Sequence, residues 1–153
     1  MPVANVYQAS ADDLEDLAAL FNEYRMFYKQ ESDLEGARVF LSERLTLKES
    51  ILFIARDESG QAMGFTQLYP SFSSVSMQRL FILNDLYVKP VCRKQGAAAK
   101  LLEAARDYAS ALQVKGLELS TAKDNLTAQR LYEQSGYEKD TEFEHYFLSL
   151  VQR

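Results

Sequence analysis

The chain has 153 residues, of which 47% are hydrophobic, 25% are charged and 12% are aromatic, and its formal net charge is −5. This length predicts a single domain over residues 1–153, and the hydrophobic share excludes a disordered chain. The acidic balance argues against general nucleic-acid binding and is compatible with cationic substrates. Because Cys92 is the one cysteine, an internal disulfide framework is excluded and a reducing compartment is expected.

The remaining composition limits the cofactors and the location of the protein. With a single histidine, His145, a histidine-rich metal site is not expected. The first residues, MPVANVYQASADDL, have neither the basic region nor the apolar region of a secretion signal. No run approaches the roughly 18 apolar residues that a membrane span requires. We therefore expect a cytoplasmic protein with no metal, no nucleic-acid partner and no membrane partner.

Hydrophobic periodicity predicts strands and helices that alternate along the chain, which is typical of a mixed α/β fold. Ser10 and Asp13 resemble a capping box in front of an amphipathic helix that ends near Tyr28. Ser32 with Glu35 resembles a second cap, and a shorter helix over 37–45 follows it. The predicted strands cover 3–8, 51–55, 62–69, 79–88, 117–121 and 143–150, with Tyr137 as a further strand position.

Residues 97–113 are the clearest predicted helix, because their alanines and leucines form one apolar stripe at helical spacing. Gly116 lies just beyond this stripe as the expected C-terminal stop. Asp124 and Asn125 are predicted to open a fourth helix, which stops at Gly136. The strand–helix–strand segment over 79–121 predicts a parallel pair of strands with a right-handed connection.

The segment from Lys89 to Lys100, KPVCRKQGAAAK, leaves an apolar strand and enters a helix through Gly96 and three alanines. A helix N-terminus presents free N–H groups and the positive end of the helix dipole, and small residues let an anion approach the backbone. Arg93 and Lys94 add positive charge. These features indicate a pyrophosphate-binding loop, although a basic turn that only caps a core helix fits them equally well. The segment is neither a Walker loop nor a dinucleotide-binding fingerprint.

Two motifs together resemble the GNAT superfamily of acyl-CoA N-acyltransferases. The first is Arg93-x-x-Gly96-x-Ala98, which follows the strand end Leu86-Tyr87-Val88. The second is the helix DNLTAQRLYEQSGY over 124–137. The resemblance covers nearly the whole chain, and it implies a mixed α/β fold whose central twisted sheet has six to seven strands, with four helices.

The resemblance also implies an activity, namely the direct transfer of an acetyl group to an amine, with acetyl-CoA as cosubstrate and no metal. Backbone groups of a bulged strand at Leu86, Tyr87 and Val88 would hold the pantetheine arm. Asn125 would contact pantetheine, although a simple helix cap explains the same residue. The pyrophosphate would be held by the N–H groups of Arg93, Lys94, Gln95, Gly96, Ala97 and Ala98.

Two side chains match catalytic roles of the family. Tyr132 matches the general acid, because a tyrosine is protonated at neutral pH and can donate to the departing CoA thiolate; the alternative is a core tyrosine. The strand LNDLYV over 83–88 resembles that of the diamine acetyltransferases, with Asn84 where they often have glutamate. Asp85 remains as an anion that binds a cationic acceptor or takes its proton through water, or else as a structural pairing partner.

The resemblance places the acceptor between the first two helices and the central strands. Aromatic residues there are candidates to line the pocket, although such a stripe is more often core. Glu31, Asp33 and Glu35 would attract a cation, or would form a solvated acidic loop. Cys92 is expected to be inert, and His145 is expected to have at most a minor role near the acceptor. The aromatic candidates are Tyr24, Phe27, Tyr28, Tyr69 and Phe72.

The preferred function is therefore acetyl transfer from acetyl-CoA to a primary amine of a small cationic molecule or a protein, with polyamines first and amino-acid-like amines second. The alternative is a non-catalytic acyl-CoA sensor on the same fold, which has no need for the acid Tyr132. Aromatic residues on both faces of the predicted strand over 143–150 indicate a covered surface. Because members of the superfamily often pair through their C-terminal strands, we expect a homodimer.

Overall fold

The computed structural model describes residues 2–151, which contain five strands, four α-helices and two short 3₁₀ turns. These residues form two compact units that divide between Ser120 and Thr121. The strands are β1 (Val3–Gln8), β2 (Ile51–Asp57), β3 (Ala62–Ser73), β4 (Gln78–Val88) and β5 (Leu117–Glu118). The helices are α1 (Leu14–Phe27), α2 (Leu34–Thr46), α3 (Ala97–Ala111) and α4 (Leu126–Gln134).

The first unit is built on one sheet with the strand order β1-β2-β3-β4-β5. Neighbouring strands from β1 to β4 are antiparallel, whereas β4 and β5 are parallel and are connected through α3. The mixed α/β fold, the four helices and the parallel pair are confirmed. The expected six to seven strands are wrong, since the part of the chain that the structure describes has five.

The difference lies at the C-terminal end of the chain. Tyr137 and residues 143–150 were expected to be strands, but they have no strand structure in the described chain. A strand needs a neighbouring backbone that accepts and donates its hydrogen bonds. The second unit, in which this segment lies, contains the helix α4 and no strand among residues 121–151. The alternating apolar side chains of the segment remain mostly exposed.

The ends of the helices are set by local capping hydrogen bonds more than by where the apolar sequence pattern begins or stops. The capping box of Ser10 and Asp13 is confirmed, although it caps the 3₁₀ turn Ala11–Asp13 that leads into α1. The expected cap at Ser32 is wrong: Asp33 is the N-cap of α2, because its carboxylate accepts the Gly36 N–H at 2.9 Å. Gly136, with φ of 96°, ends α4 as predicted.

Helix α3 ends two residues before the predicted end, at Ala111 rather than residue 113. Gln113, with φ of 56°, turns the chain there, and Gly116 is therefore not the stop. Strand β5 is also shorter than its predicted range of 117–121.

Helices α1 and α2 cover one face of the sheet, and α3 covers the other. Ile54 belongs to the buried cluster that contains the apolar residues of α1 and α2. Its neighbour Phe53 points to the opposite face, where its ring lies 5.8 Å from that of Tyr108 in α3. Phe81 of β4 lies on this same α3 face, with its ring 5.7 Å from Tyr108.

A β-bulge in β4 changes which face its side chains occupy. Leu83 is opposite Leu68 and Asp85 is opposite Gln67, so that Asn84 is one extra residue on β4. In a regular strand, Tyr87 would share the α3 face with Phe81. Instead its ring lies 6.2 Å from that of Tyr24 in α1. The bulge therefore moves Asp85 and Tyr87 to the face that α1 and α2 cover.

Strand β4 also separates from β5 near the bulge. The parallel pairing covers only Phe81 and Ile82, which lie opposite Leu117 and Glu118. Within the described residues, the β5 side of β4 has no strand partner from Leu83 to Val88. This edge therefore presents backbone N–H and C=O groups that an extended ligand can pair with.

Candidate active site

The loop between β4 and α3 has the backbone geometry of an anion-binding segment. After the 3₁₀ turn Pro90–Cys92, Lys94 and Gly96 take positive φ of 62° and 82°. A Cβ on Gly96 would meet nothing within 4 Å, so glycine is favoured there by the backbone conformation and not by lack of space. Gly96 is the N-cap of α3, and the first N–H groups of that helix have no partner within it.

Arg93 connects this loop to the end of β4. Its Nε donates to the carbonyl oxygen of Val88 at 3.2 Å, and its guanidinium lies 5.9 Å from the ring of Phe27. Lys94 is exposed beside it, while Ala97 is buried and Ala98 is half-buried. The predicted cations and small residues are thus brought together at the N-terminus of α3, next to the open edge of β4.

Close packing fixes the C-terminal end of β4 against β3. A Cβ on Gly64 would lie 2.4 Å from the carbonyl oxygen of Tyr87, so no other residue fits without a shift of the backbone. The hydroxyl of Tyr87 donates to Glu23 Oε1 at 3.1 Å, and Glu23 also pairs with Lys89 at 3.5 Å. Burial, with the hydrogen bond to Glu23, raises the pKa of Tyr87 to about 12.

The side chain of Asp85 is buried on the sheet face that α1 and α2 cover, and 3% of the residue's surface is exposed. Its Oδ2 accepts from Gln67 Nε2 at 2.6 Å and its Oδ1 accepts from Asn84 Nδ2 at 3.1 Å. Its backbone carbonyl accepts from the Thr66 hydroxyl at 2.8 Å. Burial raises the pKa of Asp85, while hydrogen bonds from Gln67, Tyr24 and Asn84 oppose that rise. Asp85 therefore has the hydrogen-bond partners that the alternative reading, a purely structural role, requires.

The candidate pocket residues separate into two groups. Tyr24 lies near Asp85 on the α1 face, with Tyr28 next to it at 5.1 Å between ring centroids. Tyr69 is half-buried, and its partial burial together with the Asp85 carboxylate raises its pKa to about 12. Phe72, by contrast, is 70% exposed and lines a cavity of about 560 Å³ whose wall contains none of the other predicted site residues.

The acidic residues between α1 and α2 have structural partners. Asp33 caps α2, and Glu35 pairs with Arg38. The backbone carbonyl of Glu31 accepts from Arg25 at 3.4 Å. All three residues are exposed, which matches the alternative of a solvated acidic loop.

Asn125 and Tyr132 both lie on the helix of the second unit. Asn125 is the N-cap of α4, and its Oδ1 accepts the Ala128 N–H at 3.2 Å, as the capping alternative predicts. The ring of Tyr132 lies 6.0 Å from that of Tyr137 in an edge-to-face arrangement. His145 is mostly exposed and lies 4.0 Å from Asp140.

Sequence reasoning missed Gln67, which lies at the bulge, and Gly64, which lies opposite the end of β4. The available signals were a glycine and a polar residue inside an otherwise apolar strand, since each is unusual there. In residues 2–151, no group of three His, Cys, Asp or Glu side chains is close enough to hold a metal ion. No described helix combines the length and apolar character that crossing a membrane demands.

Comparison with known proteins gives the family. A model of the "Acetyltransferase (GNAT) family" matches residues 14–137. The chain is 53% identical over 146 residues to the "Uncharacterized N-acetyltransferase YhfO" of Bacillus subtilis, which covers 95% of this chain and 97% of that protein. Among solved structures, a probable acetyltransferase matches with a TM-score of 0.92 and 42% identity over 98% of this chain and 100% of that one.

A more distant structure shares the fold alone. An aminoglycoside N-acetyltransferase in complex with CoA matches with a TM-score of 0.80 at 19% identity, over 99% of this chain and 98% of that one. The bulged β4, the glycine loop and the family match agree with one another. The chain therefore belongs to the GNAT acetyltransferase family, and it is an acetyltransferase enzyme.

Proposed function

We propose that this enzyme transfers the acetyl group of acetyl-CoA directly to a primary amine of a small cationic molecule. The observation that carries the proposal is the separation of β4 from β5 beside the glycine loop, because it presents an open strand edge next to a helix N-terminus. The CoA bound by the aminoglycoside acetyltransferase of the same fold supports acetyl-CoA as the donor. Polyamines are the first acceptor class, and amino-acid-like amines or a protein lysine are the second.

On the donor side, the open edge at Leu86–Val88 pairs with the amide groups of pantetheine. The N–H groups from Arg93 to Ala98 bind the pyrophosphate, where the helix dipole and Lys94 favour negative charge. Asn125 offers its Nδ2 group to pantetheine while its Oδ1 caps α4. No metal is needed, since the donors are backbone groups and cations.

On the chemical side, the neutral amine nitrogen attacks the thioester carbonyl carbon. A C–N bond forms, the C–S bond breaks, and its electron pair leaves on sulfur. An ammonium substrate first loses one proton, which Asp85 receives and later releases to solvent. The nitrogen loses a second proton to solvent as the amide forms, and the CoA thiolate takes a proton from Tyr132, which solvent then replaces. The products are the acetylamide, CoA thiol and one released proton.

We further propose that residues 1–153 form one acetyltransferase domain, because the family match runs across both compact units. A homodimer is proposed from the exposed aromatic residues near the C-terminus, among them Tyr146 at 93% exposure. A cytoplasmic location is supported by the single cysteine. The alternative of a non-catalytic sensor is disfavoured by Tyr132, which only catalysis requires.

The first prediction concerns acetyl-CoA binding. Combining Arg93→Glu with Gly96→Val reverses a charge and strains the positive φ at the helix N-terminus, so affinity for acetyl-CoA is expected to fall about tenfold or more. Isothermal calorimetry measures it, and circular dichroism checks the fold. Arg106→Glu, which makes the same charge reversal on the exposed surface of α3, is the matched control. Unchanged affinity in a folded double variant contradicts the proposed loop.

The second prediction concerns the acid. Tyr132→Phe removes the hydroxyl that protonates CoA, and kcat is expected to fall by about 10²–10⁴-fold while acetyl-CoA affinity changes little. Steady-state kinetics and calorimetry measure the two quantities. Tyr146→Phe is the control, because its side chain is mostly exposed. Wild-type turnover in Tyr132→Phe would mean that another donor protonates CoA.

The third prediction concerns the acceptor. Asp85→Asn is expected to lower kcat/KM for a polyamine far more than it alters acetyl-CoA binding, because the amide cannot accept the substrate proton. Acetylation by the wild type is expected to be faster at pH ~8–9 than at pH 7, since more of the amine is neutral. A panel of polyamines, amino acids, aminoglycosides and histone-tail peptides tests the class. Activity confined to anionic or uncharged acceptors, or indifference to Asp85→Asn, rejects the proposal.

The fourth prediction concerns assembly. Light scattering at micromolar concentration is expected to give twice the chain mass of 17.4 kDa. Phe147→Glu, which places a charge among the exposed aromatics, is expected to shift the mass towards the monomer, whereas Glu144→Gln is the control. A wild-type mass equal to one chain refutes the dimer.

A further inference from the structure

Gln67 is a fully buried residue of β3, and only the nitrogen of its side-chain amide has a hydrogen-bond partner among the described residues. Its Nε2 donates to Asp85 Oδ2 at 2.6 Å, which is short for an N–H···O hydrogen bond. Its Oε1 is also buried, and no donor lies within hydrogen-bond distance of it among the residues that the structure describes. A buried carbonyl oxygen without a hydrogen bond destabilises the fold, so the unpaired Oε1 requires a physical reason.

The partners of the Asp85 carboxylate share one property: all of them donate. They are Gln67 Nε2 and Asn84 Nδ2, while the Tyr24 hydroxyl, which donates to the Asn84 carbonyl oxygen at 3.5 Å, also favours the ionised form. Such a set suits the ionised carboxylate, which only accepts hydrogen bonds. A protonated carboxyl must donate one, and it then needs an acceptor. Oε1 of Gln67 is such an acceptor, and half a turn of the amide exchanges Oε1 with Nε2.

We infer that Gln67 is a positioning residue that serves both protonation states of Asp85 during the reaction. Nε2 holds the carboxylate before the acceptor gives up its proton, and Oε1 accepts the hydrogen bond of the carboxylic acid afterwards. In this step one proton moves from the substrate nitrogen to a carboxylate oxygen, and solvent later removes it. The inference rests on the proposed function, in which Asp85 receives that proton.

The Tyr24 hydroxyl and the amide of Asn84 can also accept a hydrogen bond, but Asn84 is exposed and Tyr24 is half-buried, whereas Oε1 of Gln67 is buried with no partner among the described residues. Tyr24 comes from α1 and Tyr69 from β3, and Tyr69 keeps its proton at neutral pH because burial raises its pKa to about 12. Arg44 of α2 acts on Tyr69 electrostatically. Further along β4, the hydroxyl of Tyr87 is bonded to Glu23, which pairs with Lys89. Gln67 is thus the buried amide in direct contact with the carboxylate.

Gln67→Met tests the inference, because methionine keeps the length of the side chain and removes both the donor and the acceptor. Carboxyl-carbon NMR of the full chain follows the Asp85 titration, with Asp85→Asn identifying the resonance. The pKa of Asp85 is expected to rise by about one unit, because the charge-assisted bond that Nε2 donates to the carboxylate is stronger than the neutral bond that Oε1 accepts from the acid. The acidic limb of the kcat/KM profile for a polyamine is expected to move in the same direction, with acetyl-CoA affinity unchanged.

Gln61→Met, at the exposed residue just before β3, makes the same exchange outside the cluster and is expected to change neither readout. If Gln67→Met keeps the wild-type Asp85 titration and pH profile, the inference is overturned while the proposed function stands. If Asp85→Asn leaves polyamine acetylation intact, the proposed role of Asp85 fails. The NMR titration requires no activity, so these two failures are distinguishable.

A second variant covers the case in which Gln67→Met does not fold. Gln67→Glu combined with Asp85→Asn keeps an amide–carboxylate hydrogen bond between the two strands but moves the charge from β4 to β3. The melting temperature is expected to stay near the wild-type value, whereas kcat/KM is expected to fall at least about 100-fold. Retained activity overturns the proposed role of Asp85, and with it the inference that rests on that role, because the pair would then act only as a structural bond between strands.

Discussion

The single extra residue at Asn84 determines which face of the sheet carries the Asp85 carboxylate in the first unit. On the sheet face, the bulge moves Asp85 and Tyr87 from the α3 side to the α1 side. On the sheet edge, β4 loses its β5 partner after Ile82. A regular strand would keep Asp85 and Tyr87 on the face that Phe81 occupies. The bulge thus sets the position of the carboxylate, and the open backbone edge begins next to it.

The segments that follow the bulge are held in place by short contacts. Gly64 lets β3 approach the Tyr87 carbonyl, because any Cβ there would lie 2.4 Å from its oxygen. Arg93 donates a hydrogen bond to the Val88 carbonyl oxygen and so connects the glycine loop to the last residue of β4. The loop and the bulge are therefore linked through one continuous strand and one side chain. Such a connection keeps the spacing between the two fixed, which positioning a cosubstrate requires.

Much of this arrangement is readable from the sequence, because its signals are local. The apolar run over 79–88 with a polar interruption predicts β4, and the glycine with its flanking alanines predicts the start of α3. Gln67 was not predictable in its role, because its contact with Asp85 depends on the register of two strands. The C-terminal strands failed for a related reason: alternation marks which side chains share a face, but it does not supply a partner strand.

In the proposed mechanism, the burial of Asp85 has two opposing effects on the chemistry. A surface carboxylate has a pKa of about 4, so it is a weak base for taking a proton from an ammonium group, whose pKa is about 10. Burial raises the pKa of Asp85 and narrows that gap, whereas the hydrogen bond from Gln67 favours the ionised form. A base must be both unprotonated at the working pH and strong enough to take the proton. Burial on the sheet face makes Asp85 a stronger base, and the hydrogen bond from Gln67 of β3 keeps it ionised, so that it can take the proton.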